Sequence, residues 1–308
     1  MSTSLTVPQR AGRVVVSDLD IKTLGPCRHP SPLAPRLGKA AFHYVGKADR
    51  VLLDDRLSRF AEPSLELSRI PAFELAGPRD HILFEPGKLR CGVVTCGGLC
   101  PGINNVIRGL VLELTEGYGV ADVIGFRYGY EGLVGGRGHE PVELTASVVA
   151  DIHHEGGTTL GTSRGDQDPR EMVDRLEKLD VGVLFVVGGD GTLRGAMKLV
   201  GEIVRRDRLI SVIGIPKTID NDIHFIDKSF IRSVPASPTD SLYCWNMARN
   251  AVHAAMAGNT EMLIGRWHGR FVHVPMALAT RYRKQVDTAG DLWMSVVEST
   301  GQPMSWAT

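Results

Sequence analysis

Apolar runs alternate with amphipathic stretches along the chain from Leu89 onwards. The run CGVVT (91–95) is rich in β-branched residues and leads into a glycine pair, which is typical of a buried parallel strand. Apolar residues then recur at three- and four-residue spacing from Ile103 to Leu114, which predicts an amphipathic helix. The further predicted strands are ADVIGF (121–126), VGVLFVV (181–187) and SVIGI (211–215), and the further predicted helices span 171–178 and 193–206. Strands that alternate with helices predict an α/β fold with a doubly wound parallel sheet.

The two ends of the chain lack this alternation. Residues 1–87 are interrupted by many prolines, and we expect them to form an extension that lies over an α/β domain of residues 88–229. Residues 230–308 are expected to form an incomplete second domain, because they contain too few strands for a second sheet. Its predicted elements are a helix with Leu242, Ala248, Val252 and Ala255 facing inward, the strands MLIGRW (262–267) and FVHVPM (271–276), and a helix near 291–298.

Composition and charge restrict the class of protein. Lysine plus arginine and aspartate plus glutamate both number 35, so no overall basic charge attracts nucleic acid. No apolar run approaches the roughly 18 residues that a membrane span needs. The first residues lack the apolar core of a signal peptide. We therefore expect a cytoplasmic enzyme that binds neither nucleic acid nor membrane.

Five cysteines are present, of which Cys96 and Cys100 are four residues apart. An odd number without a secretion signal favours reduced thiols. A structural zinc site normally needs four ligands, and no second Cys or His pair of suitable spacing accompanies these two. Packing beside a loop is therefore the preferred interpretation.

The segment TCGGLCPGINNVIRG (95–109) places two glycines between a strand and a helix. Such a turn lets backbone N–H groups approach a phosphate at the positive end of the helix. It lacks the Gly-Lys-Ser/Thr of a Walker loop and the spacing of a dinucleotide fold. Taken alone, it is equally consistent with an ordinary glycine turn.

The segment VVGGDGTLRGA (186–196) surrounds Asp190 with Gly188, Gly189 and Gly191. Flanking glycines allow the backbone to fold around a phosphate chain, and the lone carboxylate suits Mg²⁺. Thr192 lies near a predicted helix start, where its hydroxyl can cap the helix or contact phosphate. The alternative is a plain Asp-Gly turn.

The segment IPKTIDNDI (215–223) carries Asp220 and Asp222 directly after a strand, beside Lys217 and Thr218. A carboxylate at a strand end can accept a proton from an attacking hydroxyl, and lysine supplies positive charge for a phosphoryl group. A fourth segment, GGTTLGTSRGD (156–166), offers hydroxyls and Arg164, a bidentate phosphate donor. For both segments the alternative is a solvated surface loop.

Together these segments resemble the phosphofructokinase family, specifically its plant-like and bacterial ATP-using members with an N-terminal extension. The resemblance also includes LGPCRHPSPL (24–33), AFELAGPR (72–79) and NAVHAAMAG (250–258). It implies transfer of a phosphoryl group from ATP to the 1-hydroxyl of fructose 6-phosphate, with Mg²⁺ as cofactor. A homo-oligomer is expected as well, because family sites are often completed across subunits.

The resemblance also implies roles for individual residues. It implies that the ATP contacts are Gly98, Arg164, Gly165, Gly189, Asp190, Gly191 and Thr192, with Asp190 holding Mg²⁺. It implies that the sugar-phosphate contacts are Lys217, Thr218, Ile219, Asp220 and Arg232, with Asp220 as the catalytic base. Pyrophosphate-using relatives typically carry aspartate at the position of Gly191, so glycine favours ATP. Lys217 occurs with either donor.

The chain departs from the family pattern near Phe230–Ile231. The family continues there with a long helix and a Met-Gly-Arg motif that grips the sugar phosphate, whereas this chain passes directly to a C-terminal-like segment. The triplet Ile264–Arg266 only imitates that motif. Loss of the grip removes charge-assisted hydrogen bonds of about 1.5–3 kcal/mol each and positioning of the substrate. We also expect the lost strands to leave apolar faces of the sheet uncovered.

Three further interpretations stay open at this stage. The chain could be a non-catalytic protein that binds nucleotide or joins a full-length relative. It could use pyrophosphate in place of ATP. It could also be another kinase with the same Gly-Gly-Asp-Gly turn, such as an NAD kinase, although PKTIDND (216–222) argues against this.

Overall fold

The computed structural model describes residues 14–33, 44–57, 66, 69–136, 138–217, 234–281 and 291–303. The strands are β1 (Lys22–Thr23), β2 (His29–Pro30), β3 (Arg50–Leu52), β4 (Ala72–Leu75), β5 (His81–Ile82), β6 (Arg90–Thr95), β7 (Asp122–Phe126), β8 (Val142–Glu143), β9 (Val181–Gly188), β10 (Ser211–Pro216), β11 (Asn259–Thr260), β12 (Met262–Trp267) and β13 (Arg270–Pro275). The α-helices are α1 (Ile103–Leu112), α2 (Pro169–Lys178), α3 (Asp190–Arg205), α4 (Pro238–Met256), α5 (Met276–Ala279) and α6 (Asp291–Thr300). Shorter helical segments are Val16–Leu19, Pro86–Lys88, Gly129–Leu133, Ile152–His154 and the π-helical Glu113–Tyr118.

One large sheet organises the described part of the chain. Nine of the described strands pair in the order β3-β4-β13-β12-β10-β9-β6-β7-β8. Strands β12, β10, β9, β6 and β7 run parallel to one another, and the remaining pairs are antiparallel. The sheet is therefore mixed, with a parallel centre, and the predicted α/β class is confirmed.

Helices cover both faces of the parallel centre. On one face α1 and α4 pack over Val93, Phe185 and Ile213, while α2 and α3 pack over Val94 and Leu184 on the other. Neighbouring residues of a strand point to opposite faces, so two apolar clusters form with the sheet between them. This is the doubly wound arrangement that the sequence predicts.

Helices α1 and α4 approach each other closely. A Cβ atom added at Gly109 would lie 2.8 Å from the Cβ of Ala248, closer than two carbons can pack without movement. The small residues at these positions therefore set the distance between the two helices. The approach brings the first turns of both helices to the same edge of the sheet.

The predicted elements of the α/β region are confirmed apart from small shifts at their ends. The main difference is α3, which begins at Asp190, whereas the apolar periodicity predicts a start at Leu193. In α4, Ala248, Val252 and Ala255 are buried as predicted. Leu242 is 63% exposed, so its predicted inward orientation is wrong.

The flanking segments contribute strands to the same sheet. Strands β12 and β13 continue it beyond β10, and β4 and β3 of the N-terminal region extend it further. The predicted uncovered apolar face is wrong for the described residues, because Ile215 and Met262 are fully buried in the cluster under α4. The division into domains at 87–88 and 229–230 stays a prediction. Among the described helices, none has the length and apolar character needed to cross a membrane.

Candidate active site

The carboxyl ends of β6, β9 and β10 lie side by side. Thr95 pairs with Val187, and Gly188 pairs with Pro216. The backbone pairing continues past the strands, because Cys96 N–H donates to the Val187 carbonyl at 2.9 Å and Lys217 N–H donates to the Gly188 carbonyl at 3.0 Å. The described parts of three of the four segments singled out in the sequence therefore meet at one edge, the third of them being described as far as Lys217. In open α/β sheets this edge is where ligands bind.

The fourth segment, residues 156–166, lies along the loop that follows β6. The Thr95 hydroxyl donates to the Gly161 carbonyl at 2.8 Å, and the Thr162 hydroxyl donates to the Gly97 carbonyl at 2.8 Å. The backbone N–H of Gly97 donates to the Ser163 carbonyl at 3.3 Å. The structure thus brings this segment to the same edge as the other three.

The glycine-rich turn after β9 leads directly into α3. Gly189 is the N-cap residue and Asp190 is the first helical residue, with 8% of its surface exposed. A Cβ added at Gly188 would lie 2.6 Å from the Cys96 carbonyl oxygen, so only glycine fits between the two loops. The first N–H groups of a helix lack intrahelical acceptors and carry partial positive charge. The turn therefore favours an anion such as phosphate at the start of α3.

Thr192 occupies the first turn of α3, but it does not cap the helix. The N-cap is Gly189, and no side chain accepts a capping hydrogen bond there. The buried Thr192 hydroxyl instead lies against Gly97, whose added Cβ would be 3.3 Å away. The capping role proposed from the sequence is wrong because the helix begins at Asp190, three residues before the start that the periodicity predicts.

The comparisons with known proteins match this arrangement. The family model described as Phosphofructokinase matches residues 90–230. The ATP-dependent 6-phosphofructokinase of Amycolatopsis methanolica is 36% identical, and the alignment covers 94% of this chain and 95% of that protein. This chain belongs to the phosphofructokinase family.

Further comparisons give lower similarity. The ATP-dependent 6-phosphofructokinase of Borreliella burgdorferi is 28% identical, with 94% of this chain and 97% of that protein covered. The crystal structure of a pyrophosphate-dependent phosphofructokinase from Marinobacter aquaeolei is similar with a TM-score of 0.57 and 13% identity, over 65% of this chain and 86% of that one. Phosphofructokinase from Saccharomyces cerevisiae gives a TM-score of 0.53 and 18% identity, over 63% and 45% of the two chains. At these identities the structures show a shared fold.

The alignment with the Amycolatopsis phosphofructokinase also bears on the missing central stretch. It extends over 439 positions, whereas this chain has 308 residues, so part of the relative faces a gap in this chain. The family match ends at residue 230, beside the junction at Phe230–Ile231. Both findings agree with an internal stretch that this phosphofructokinase lacks.

Asp190 forms an ion pair with Arg194 one turn further along α3. The Arg194 Nε donates to the Asp190 Oδ2 at 2.9 Å, and the arginine side chain is 45% exposed. Mg²⁺ usually binds through one or two carboxylates together with substrate phosphates and water. The Asp190 carboxylate, beside a turn that favours anions, fits that donor set. Among the described residues no group of three or more potential ligands forms a metal site from protein atoms alone.

Arg164 and Gly165 lie at the exposed rim of the site. Gly165 has a φ of +110°, which side-chain-bearing residues rarely adopt, and a Cβ added there or at Gly98 would meet open space. Within the part of the chain that the structure describes, no hydrogen bond or ion pair holds the Arg164 guanidinium. This arginine is therefore available to an anionic ligand.

Lys217 is the last described residue of the third segment. Only 8% of its surface is exposed, and its Nζ lies 3.7 Å from the Cys244 Sγ of α4. The four other predicted sugar-phosphate contacts, Thr218, Ile219, Asp220 and Arg232, lie outside the described residues. Their roles stay predictions.

The cysteines near the site are buried thiols. Burial raises the pKa of Cys96 to about 12 and that of Cys100 to about 11, the latter in spite of the nearby Lys217. Metal ligation requires a thiolate, which these surroundings disfavour. Both residues therefore act as buried packing groups of the loop after β6.

Two residues that the sequence analysis did not single out also shape the site. The Tyr130 hydroxyl donates a hydrogen bond to the Thr192 carbonyl at 2.6 Å. The side chain of Asn104 in α1 accepts a hydrogen bond from the Thr159 N–H at 2.9 Å and donates one to the Glu155 carbonyl at 3.1 Å. Tyr130 belongs to the glycine-flanked stretch FRYGYEGL (126–133) that directly follows β7. Because this stretch directly follows a predicted strand, the sequence alone could have indicated that Tyr130 lies near the site.

Proposed function

We propose that this chain is an ATP-dependent 6-phosphofructokinase that phosphorylates the 1-hydroxyl of fructose 6-phosphate to give fructose 1,6-bisphosphate, a step of glycolysis. The observation that carries the proposal is the position of Asp190. Its carboxylate stands at the positive end of α3, on a glycine turn that is hydrogen-bonded to the loops after both neighbouring strands. Phosphoryl transfer needs this combination of positioning and charge stabilisation. The names of the Amycolatopsis and Borreliella relatives support the same donor and reaction.

The space around Gly191 supports ATP as the donor. A Cβ added at Gly191 would meet no atom within 4 Å, so the turn is open on this side. An aspartate there would project a carboxylate into that space and repel the phosphate chain of a nucleotide. Gly98, Gly189 and Thr192 would contact the phosphates from the two loops, and Arg164 with Gly165 would do so from the rim.

Asp190 would hold the magnesium ion of Mg-ATP. When bound, Mg²⁺ neutralises charge on the phosphate oxygens. Arg194 orients the Asp190 carboxylate through its 2.9 Å hydrogen bond, and its exposed side chain has room to move aside. The protein would contribute this one carboxylate, and the nucleotide phosphates and water would supply the other ligands.

The acceptor side depends on the segment that follows β10. Asp220 would accept the proton of the sugar 1-hydroxyl as this hydroxyl attacks, and Thr218 and Ile219 would contact the substrate beside it. Lys217 supplies positive charge next to this segment, and Arg232 would contact the sugar phosphate. These residue roles are carried over from the family resemblance. We also propose that the enzyme acts in the cytoplasm and forms a homo-oligomer.

A second candidate function follows from the gap near Phe230–Ile231. Without the stretch that normally grips the sugar phosphate, the chain could bind Mg-ATP and associate with a full-length relative without turning over sugar. The same gap would make an active enzyme slower than its relatives. The nucleotide half of the site is common to both functions.

A coupled assay of ADP release with fructose 6-phosphate and Mg-ATP tests the enzyme, with pyrophosphate as an alternative donor. We expect sugar-dependent turnover with ATP that Asp220→Asn abolishes without weakening Mg-ATP binding in calorimetry. Mg-ATP binding without any sugar-dependent turnover would favour the non-catalytic function. Turnover with pyrophosphate alone would show that the donor assignment is wrong.

A further inference from the structure

The side chain of Asn104 joins the first turn of α1 to the loop residues 155–159. Asn104 is the second residue of α1, and only 1% of its surface is exposed. Its Oδ1 accepts a hydrogen bond from the Thr159 N–H at 2.9 Å, and its Nδ2 donates one to the Glu155 carbonyl at 3.1 Å. One buried amide therefore binds the backbone at two points that are four residues apart.

The two hydrogen bonds of Asn104 close over a turn that contains Gly156 and Gly157. Gly157 has a φ of +82°, a conformation that favours glycine. Adjacent glycines allow the backbone many alternative conformations, so such a turn fixes the direction of the following chain only when other groups hold it. The Asn104 amide supplies this restraint, because it fixes both ends of the turn relative to α1.

The chain that follows this turn leads to Arg164 at the rim of the site. The Thr158 hydroxyl lies 3.0 Å from the Thr95 hydroxyl, which donates to the Gly161 carbonyl at 2.8 Å. Asn104 thus holds this chain at its start, and Thr95 at the end of β6 holds it further along. Because no hydrogen bond or ion pair of the described residues holds the Arg164 guanidinium, its position depends on the backbone that carries it.

Packing alone does not account for an asparagine at position 104. Burial of an amide costs free energy unless the amide is hydrogen-bonded. Glu155 and Thr159 are exposed, so water can reach the backbone near them. The two hydrogen bonds therefore contribute a fixed geometry of the turn more than they replace lost solvation.

We propose that Asn104 is a positioning residue for nucleotide binding, which fixes the diglycine turn so that Arg164 meets the phosphates of Mg-ATP. The inference rests on the proposed function, which makes Arg164 a contact of the nucleotide. Asn104 does not touch the nucleotide in this arrangement. It acts by ordering the chain before ATP binds, and a chain that is already ordered loses less conformational entropy on binding.

The neighbouring Asn105 offers a matched control for a test of this role. It is also buried, with 7% of its surface exposed, but its Nδ2 donates to the Ser241 hydroxyl of α4 at 3.0 Å. Asn104→Ala and Asn105→Ala each remove a buried asparagine from the first turn of α1, and the former alone releases residues 155–159. Asn104→Ser is a second variant that keeps a polar group in place. Thermal unfolding checks that each variant is folded.

Calorimetric titration of the full-length chain with Mg-ATP, without sugar, measures the effect on nucleotide binding. We expect Asn104→Ala and Asn104→Ser to weaken binding by roughly 3- to 10-fold, the range for loss of a hydrogen bond, and Asn105→Ala to leave it unchanged. In steady-state kinetics the KM for ATP should rise by the same factor with little change in kcat. The backbone amides of residues 160–165 should exchange hydrogen faster in Asn104→Ala than in Asn105→Ala.

A double-mutant cycle shows whether Asn104 acts through Arg164. Arg164→Gln should itself weaken Mg-ATP binding by roughly 10-fold or more, as for loss of a charge-assisted contact. Adding Asn104→Ala to Arg164→Gln should then have little further effect, because the contact that Asn104 positions is already lost.

Equal Mg-ATP affinity in Asn104→Ala and Asn105→Ala would overturn the proposal. Full additivity of Asn104→Ala and Arg164→Gln would do so as well, because the two residues would then act independently. An Arg164→Gln variant that binds Mg-ATP like the wild type would also contradict it. Failure of the kinase function gives a different result. Mg-ATP binding that depends on both residues, without sugar-dependent ADP release, would support this role of Asn104 and contradict the enzyme proposal.

Discussion

The hydroxyl of Tyr130 donates a 2.6 Å hydrogen bond to the main-chain carbonyl oxygen of Thr192. The bond joins the segment Gly129–Leu133, which follows β7, to the first turn of α3. A Cβ added at Gly195 would lie 2.6 Å from the Tyr130 ring, so glycine makes room for the ring against the helix. This buried contact fixes the start of α3 and with it the orientation of Asp190.

Replacement of Tyr130 by phenylalanine should loosen this start of the helix. The ring stays, but the hydrogen bond is lost, which typically lowers the free energy of unfolding by about 0.5–1.5 kcal/mol. We also expect a higher KM for ATP with little change in the KM for fructose 6-phosphate. Urea unfolding and steady-state kinetics measure both effects. Tyr128→Phe, at a side chain that is 43% exposed, is the control, and equal behaviour of the two variants would argue against this role.

Asp190→Asn should abolish most of the kinase activity while leaving the fold intact. The substitution removes the negative charge that holds the metal, and we expect kcat to fall by at least about 100-fold, as for loss of a group that stabilises transferring charge. Asp207→Asn, at an exposed position after the last turn of the same helix, is the matched control. Coupled ADP release at several magnesium concentrations measures the effect. Activity within a few-fold of the wild type would exclude Asp190 as the metal ligand.

Gly191→Asp should change the choice of donor. The position is open, so the variant is expected to fold, but the new carboxylate would repel the nucleotide phosphates. We expect the KM for ATP to rise by about tenfold or more, which corresponds to about 1.4 kcal/mol. Gly191→Ala adds bulk without charge and should retain most of the ATP affinity. An equal rise of the KM for ATP in both variants would show that the space at this position, and not the charge, determines the choice of phosphoryl donor.

Gly188→Ala should destabilise the protein, because the added Cβ would lie 2.6 Å from the Cys96 carbonyl oxygen. Relief of such a contact requires the loops after β6 and β9 to move apart, and overpacking of this kind typically costs about 1–3 kcal/mol. Gly98→Ala, where the added Cβ meets open space, is the matched control. Thermal unfolding compares the two, and a Gly188→Ala melting temperature equal to that of the control would contradict the close packing.

His253 should make stability depend on pH in the mildly acidic range. Its Nδ1 lies 2.9 Å from the Tyr118 hydroxyl, and burial together with the nearby Arg249 lowers the pKa of His253 from 6.5 to about 3. The unfolded chain therefore binds a proton near pH 6.5, whereas the folded protein does so only near pH 3. Stability from the neutral histidine is complete above pH 6.5 and is lost as the pH falls towards 3.

Urea unfolding at pH 7.5 and 5.5 tests this dependence by comparing the wild type with His253→Gln. We expect the free energy of unfolding to fall by roughly 1 kcal/mol more in the wild type over this interval. Glu113 lies 3.8 Å from the His253 Nε2, and burial raises its pKa, which acts with the opposite sign. Both proteins contain Glu113, so the difference between their changes in the free energy of unfolding reports the effect of His253. Equal changes in the two proteins would show that this histidine is not the titrating group.

Several parts of the fold and the site could be predicted from the sequence because their signals are local. The strands β6, β9 and β10 are continuous apolar runs, and glycine-rich segments follow them directly. In a parallel sheet the carboxyl ends of neighbouring strands lie at one edge. The sequence therefore also predicted that these glycine-rich segments lie close together. Local signals failed at Leu242, because an apolar residue in the first turns of a helix does not show by itself which side of the helix is covered, and this side chain is 63% exposed.

The sequence by itself determined the alternation of strands and helices, the glycine turns, the family resemblance and the candidate residues at strand ends. Only the tertiary structure decided that β12, β13, β4 and β3 extend the same sheet and that the Tyr130 hydroxyl binds the Thr192 carbonyl. The physical reason is that periodicity shows which face of a helix or strand is buried, but it does not show which other helix or strand packs against that face. Strand partners are chosen by hydrogen bonding and packing between residues far apart along the chain, and such pairings appear only in the folded protein.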